Sequence, residues 1–249
     1  MWEDFLLFVA IGFAAQIVDG AAGMAYGLTS TSVLLGFGMP PATASASVHA
    51  AEVFTTGLSG AAHWRLGNVQ WPVVLRLAIP GIIGGVLGAY VLTSAPVEII
   101  KPIISIYLFL MAAWIIWKSL RAPIEDQREP THWLVPLGFA GGFLDASGGG
   151  GWGPMVVSTL LGTGTKARYT IGSVNAAEFF VTVAISLAFL GTIGLELWPI
   201  ITGLILGGAI AAPLAAYVAK SVPDRPLMLL VGVVIMLLSL RGLVQSLQV

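Results

Sequence analysis

The sequence predicts an all-α polytopic membrane protein made of two internal repeats, each a glycine-broken helix pair followed by three transmembrane helices. Three observations carry this prediction. Of the 249 residues, 57% are hydrophobic and only 9% are charged, whereas a soluble domain carries about a quarter charged residues. Apolar stretches recur over 3–36, 42–62, 71–93, 97–118, 133–162, 168–190, 197–219 and 226–246. Most of them hold the ~20 residues that a helix needs to cross a bilayer, too many for a strand of a membrane barrel. Finally, the chain repeats itself.

Sliding the sequence by 126 positions lays Gly12-Phe13-Ala14 on Gly138-Phe139-Ala140, Asp19 on Asp145, Gly23 on Gly149 and Ser47–Glu52 on Ser173–Glu178. Comparing 12–56 with 138–182 gives about 18 identities in 45 positions without a gap. After one inserted residue, Trp71-Pro72 meets Trp198-Pro199 and Pro96 meets Pro223. Residues 1–121 therefore form a first membrane repeat and 133–249 a second, joined by a charged linker over 122–132. Repeats of this kind are typical of secondary transporters.

The N-terminal Met1-Trp2-Glu3-Asp4 is acidic where a cleavable signal needs a basic start, and the apolar run that follows exceeds signal length. The stretches 3–36 and 133–162 are too long for one span and carry central glycines, so each is read as two shorter helices around a break. If each broken pair crosses fully, the repeats are parallel and the basic residues divide about evenly between the faces. If each pair returns to its own side, the repeats are inverted. One face then collects Arg65, Arg76, Lys118, Arg121, Arg128, Lys166, Arg168, Lys220 and Arg225, and the other keeps Lys101 and Arg241. Nine against two is a positive-inside pattern. It favours inverted repeats, a cytoplasmic linker and external termini.

Composition also excludes function classes. Eleven Lys and Arg against twelve Asp and Glu give a net charge of −1, which is no footprint for nucleic acid. Without cysteine there is no disulfide framework, thiolate nucleophile or Cys-ligated metal. There is no room for a domain-sized catalytic head. No cofactor and no metal site are expected, and no enzymatic activity.

The breaks read Asp19-Gly-Ala-Ala-Gly-Met-Ala-Tyr-Gly27 and Asp145-Ala-Ser-Gly-Gly-Gly-Gly-Trp-Gly-Pro154. Consecutive glycines sacrifice about 1 kcal/mol each of helix stability relative to Ala. They also leave backbone groups that lipid cannot satisfy, so such backbone must face protein or a watery cavity. A helix restarting there aims free N–H groups and its positive end at the cavity, an arrangement suited to an anion. This reading makes Gly23, Met24, Gly149, Gly150, Gly151 and Trp152 substrate-binding candidates. The alternative is that small residues merely permit close helix packing. No Gly-Lys-Ser/Thr follows, so neither break is a nucleotide loop.

The next segment of each repeat supplies polar side chains. His49, Glu52 and Thr56 share one helical face with Ser45 a turn earlier, and Asn175, Glu178 and Thr182 repeat the pattern. Ser45, His49, Ser173 and Asn175 join the candidate ligands, as do Ser30 and Thr31 just after the first break. His49 is read either as a pH-sensitive anion ligand or as a satisfied core histidine. Glu52 and Glu178 are proton carriers or braces, and Asp19 and Asp145 are caps of the restarting helices. Two other function classes stand beside transport of this kind: an anion-selective channel, and an intramembrane serine protease using Ser59 of Gly57-Leu58-Ser59-Gly60 with His49 or His63.

The glycine-rich breaks, Ala44-Ser-Ala-Ser-Val-His-Ala-Ala-Glu-Val-Phe-Thr-Thr56 and His63-Trp-Arg-Leu-Gly-Asn-Val69 together resemble the TauE/SafE sulfite exporter family. The second break matches that family's glycine-rich motif well, whereas the first, with Ala21, Ala22, Met24, Ala25 and Tyr26, departs from it. The resemblance implies a multi-pass protein of the bacterial inner membrane that exports sulfite or a related organosulfur anion. The partners it implies are a small inorganic or organosulfur anion and the lipid bilayer, with a homodimer left open.

Overall fold

The computed structural model describes residues 4–22, 25–120, 133–162, 167–194, 197–221 and 224–246, all helical or in short connections. The first long stretch divides into α1 (Phe5–Ala22) and α2 (Tyr26–Gly36), followed by α3 (Pro41–Arg65), α4 (Trp71–Ser94) and α5 (Val97–Ser119). The second divides into α6 (Leu134–Gly148) and a π-helical turn (Gly153–Val157) that runs into α7 (Ser158–Gly162). Then come α8 (Ala167–Ile193), α9 (Trp198–Ser221) and α10 (Asp224–Ser246). Both stretches thus break where the glycines cluster. The second restart opens as a π-helical turn rather than a plain α-helix. Pro154 within it has no amide hydrogen to give to an α-helical ladder. Prolines also open elements, with Pro41 and Pro72 in the first turns of α3 and α4, where the missing N–H would have had no helical partner. Gly23, Met24, the linker 122–132 and Lys166 lie outside the described residues.

Extensive packing joins elements across the two repeats. α1 lies along α9, α6 along α4, α3 along α8 and α5 along α10. The first two pairings are reciprocal, because the repeat equates α1 with α6 and α4 with α9. Glycine makes these contacts backbone to backbone. A Cβ at Gly142 would strike the Gly81 carbonyl and one at Gly84 the Phe139 carbonyl. On the other side, one at Gly12 would strike the Leu204 carbonyl and one at Gly207 that of Val9. This is the small-residue packing that lets membrane helices approach closely without a hydrophobic drive between them. In the α3–α8 pair Gly57 faces Phe179, Gly60 faces Ala176 and Asn68 faces Gly172, so these helices run antiparallel. The α5–α10 pair does too, with Ala112 and Ile116 beside Gly232 and Ser105 beside Gly242.

Among the described residues, four helical segments are long and apolar enough to cross a membrane: α4, α5, Tyr169–Ile193 of α8 and Met228–Gln245 of α10. Their outer faces carry exposed apolar residues such as Leu75, Ile79 and Ile83 of α4, and Ile99, Ile103 and Leu110 of α5, an expanse that lipid covers. Central α3 is different. It turns Ser45, Ser47, His49, Glu52 and Thr56 inward and buries all of them.

Candidate functional site

α6 stops because the chain turns left-handed. Gly149 has φ 72° and Gly150 φ 144°, conformations that only glycine adopts readily. Both amides fold back to the Asp145 carbonyl, at 2.8 and 3.1 Å. The Asp145 side chain then reaches past the break, and its Oδ1 accepts from the amides of Gly151 at 2.7 Å and Trp152 at 3.0 Å. The first repeat does the same, with Asp19 Oδ1 accepting from Ala25 at 2.9 Å and Tyr26 at 3.2 Å. Each restart is therefore capped by the aspartate that precedes its break.

The carbonyls of the second break are also satisfied. Thr31 Oγ1 donates to the Gly149 carbonyl, and the Tyr107 hydroxyl of α5 donates to that of Gly150 at 3.1 Å. The Tyr107 ring lies so close to Gly148, and its hydroxyl to Gly151, that no Cβ fits at either position. The glycine run thus serves two needs: backbone twist at 149 and 150, and room for Tyr107 at 148 and 151. Sequence reasoning missed Tyr107. Its counterpart in the repeat is Val234, so no duplicated pattern marks it, and a lone tyrosine in an apolar span is the only signal.

A cavity of about 200 Å³ lies against both breaks. Tyr26 and Gly27 line it from the first restart, and Gly150, Gly151, Gly153 and Pro154 from the second. α3 contributes Glu52, Thr55, Thr56, Ser59 and His63, and α8 contributes Ile171, Asn175 and Glu178. Asp19, Gln16 and Asp145 complete its polar wall. Four carboxyl groups therefore border this space, and among the described residues no Lys or Arg lines it. Glu52 is 3% exposed; its carboxyl group lies against Gly27, and Oε2 has no hydrogen-bond partner.

Of the residues singled out in the sequence, Asp19, Glu52, Asp145, Gly150, Gly151, Asn175 and Glu178 line this cavity. Thr56, Ser59 and His63 line it too, Gly23 and Met24 lie outside the described residues, and the remaining candidates are not among its lining residues. His49 is fully buried, with Nδ1 2.7 Å from the Ser45 carbonyl and Nε2 3.2 Å from Asp145 Oδ2. Ser45 Oγ donates to the Ala146 carbonyl at 2.7 Å, and Ser173 Oγ accepts from the Gln70 amide at 2.9 Å. Trp152 is fully buried and directs its indole N–H at the Val174 carbonyl, 3.4 Å away. Ser30 is buried on α2 with no partner for its hydroxyl. Asp19 and Asp145 occupy the restart amides, and Thr55 Oγ1 donates to the Glu52 carbonyl at 3.3 Å, so the donors left on the cavity wall are the Ser59 hydroxyl and the Asn175 amide, which also donates to the Ile171 carbonyl at 3.1 Å. Ser59 has no hydrogen bond to His49 or His63 among the described residues, and His63 Nδ1 lies 3.3 Å from Asn68 Nδ2 instead.

A helical membrane chain whose two broken segments face a buried polar cavity has the architecture of a membrane transporter. The chain belongs to the sulfite exporter TauE/SafE family, whose sequence model matches residues 8–242. It is 42% identical over 252 residues to the probable membrane transporter protein YtnM of Bacillus subtilis (strain 168), spanning 98% of this chain and 84% of that protein. The probable membrane transporter protein ORF9 of a Sinorhizobium species is 27% identical over 81% of this chain and 76% of its own length. The probable membrane transporter protein YdhB of Bacillus subtilis is 28% identical over 76% and 75%. No solved structure matches the chain.

Proposed function

We propose that the protein is a secondary transporter that exports sulfite or a related small organosulfur anion across the inner membrane by alternating access, with the cavity between the two breaks as its binding site. The observation that carries this reading is the position of the cavity, bounded by both restarts and by the duplicated polar faces of α3 and α8. Transport sites in repeat-built carriers are formed in this way by discontinuous helices. Residues 1–121 and 133–249 act as inverted repeats, with a cytoplasmic linker and external termini. The antiparallel course of α3 against α8 and of α5 against α10 supports the inversion, as does the nine-to-two division of basic residues. An inside-negative potential contributes about 2.3 kcal/mol per 100 mV for each net charge expelled, enough to favour export of a monoanion.

The test is efflux of sulfite from proteoliposomes, with competition by sulfate, thiosulfate and sulfonates. The expected result is flux that saturates with concentration and falls steeply on cooling, as carrier cycling requires. An Asn175→Leu variant removes a donor from the cavity and is expected to weaken sulfite affinity at least about tenfold. Unchanged affinity would place the site elsewhere, and flux that never saturates would make the protein a channel.

A further inference from the structure

We propose that His49, Asp145 and Glu52 form a proton-binding site whose occupancy sets the affinity of the adjoining cavity for an anion. The second half of this statement rests on the anion-transport reading; the first stands on hydrogen-bond geometry alone.

The geometry starts at His49 Nδ1. Its 2.7 Å neighbour is the Ser45 carbonyl, which can only accept, so Nδ1 carries a hydrogen. Ser45 Oγ agrees: it gives its own hydrogen to the Ala146 carbonyl at 2.7 Å and therefore presents a lone pair to Nδ1 at 3.3 Å. In a neutral imidazole Nε2 would then be a bare lone pair. Nε2 nevertheless lies 3.2 Å from Asp145 Oδ2, while the other oxygen of that carboxylate is filled by two backbone amides. Two lone pairs do not face each other at that distance in a fully buried pair. One further proton lies between Nε2 and Oδ2, whichever atom it rides on.

Glu52 connects this proton to the cavity. One polar atom from each of the three side chains lies within 4.8 Å of the others, and Glu52 Oε2 is buried without a partner on the cavity wall. At that distance the Glu52 carboxyl on the cavity wall feels the charge of the Nε2–Oδ2 pair, so the presence of the proton is felt in the cavity. The ionisable groups facing the cluster are Asp19 from α1, Tyr26 from α2, Tyr107 from α5 and Glu178 from α8. The Phe189 ring of α8 lies 6.2 Å from the imidazole. His63 borders the same cavity, and among the described residues its lining holds no Lys or Arg to offset the carboxyl groups. An ionised carboxylate beside a monoanion in a buried site opposes its binding. The bound proton removes one such charge. Loss of the proton as pH rises restores the charge, so anion affinity falls, by about tenfold per pH unit for one linked proton. Reciprocally, anion binding takes up a proton. The second repeat carries Asn175 where the first has His49, so the equivalent position there has no imidazole to hold such a proton.

The chain has three histidines, at 49, 63 and 132, so nitrogen-15 NMR of histidine-labelled protein in detergent resolves the site directly. The expected result is one histidine protonated at Nδ1 with a proton on, or donated to, Nε2 near neutral pH, and loss of that signal in His49→Asn. Binding of thiosulfate and of methanesulfonate, neither of which titrates between about pH 5 and 8, is then measured across that range. Affinity is expected to fall with pH in the wild type and to stay flat in His49→Asn, which installs the residue of the second repeat. A bare Nε2 throughout the range, a transition metal ion co-purifying with the wild type, or the same pH slope in His49→Asn would each overturn the proposal. Should neither anion bind, the anion-linked half fails with the transport reading, and the NMR result still decides the proton site.

Discussion

Asp145 has two carboxylate oxygens and three partners, and that economy makes it the most consequential side chain in the molecule. Oδ1 holds the restart amides while Oδ2 meets His49. Asp145→Asn keeps one acceptor but turns the other position into a donor, and it loses the charge that strengthens both amide bonds. The expected cost is about 2–3 kcal/mol, read as a lower thermal midpoint in detergent. Asp19→Asn is expected to cost less, since Asp19 holds two longer amide contacts. Tyr107→Phe removes one hydrogen bond to the Gly150 carbonyl but leaves the ring over Gly148. A loss of about 1 kcal/mol is expected, with the fold intact; a larger collapse would mean that the hydroxyl holds the break open. The two aspartates were legible in the sequence because they recur at the same place in both repeats. Tyr107 was not, because its counterpart is Val234; Thr31 stood out as a candidate ligand, but its bond to the Gly149 carbonyl joins the two repeats and no local spacing shows it. The contact of His49 with Asp145 spans 96 residues and pairs a residue of one repeat with a residue of the other, so no local spacing reveals it.

At the level of helices, glycines that look alike do unlike things. The sequence argued for breaks from the run at 148–151, and the chain does unwind there. Gly81, Gly84, Gly138 and Gly142 sit inside unbroken helices and bring α4 and α6 into backbone contact. Only the three-dimensional pairing separates these roles, because helix partners depend on long-range packing that periodicity does not record. Gly142→Leu forces side-chain atoms into the Gly81 backbone, so the variant is expected to accumulate poorly in membranes and to lose at least about 3 kcal/mol of stability. Gly191→Ala meets nothing within 4 Å and is expected to stay within about 0.5 kcal/mol of wild type. Comparing the thermal midpoints of the two variants checks the assignment. α3 shows the limit in the other direction. Its polar face was plain from His49, Glu52 and Thr56, but the same polarity keeps it out of the set of strongly apolar spans.

For the molecule as a whole, orientation is the decisive property. The absence of cysteine makes single-cysteine labelling clean. Inverted repeats place the α3–α4 and α8–α9 connections on opposite sides of the membrane, whereas parallel repeats place both on the same side. Leu66→Cys, at an exposed position, is expected to react with an impermeant maleimide only from the cytoplasm. Ile193→Cys, also exposed, is expected to react only from outside. Labelling of both from one side would refute inversion. Composition and self-similarity made the membrane class and the duplication legible, but they did not show that the repeats are interleaved, with α1 resting on α9 and α6 on α4. That interleaving has a consequence for biogenesis. When the ribosome has finished α5, the glycine-lined flanks of α1 and α4 are already in the bilayer, and the helices that will cover them have not been synthesised. The early half must wait, shielded by lipid or by the insertion machinery, until its sibling arrives, so premature termination anywhere before α9 leaves a product for quality control to remove rather than a smaller working carrier.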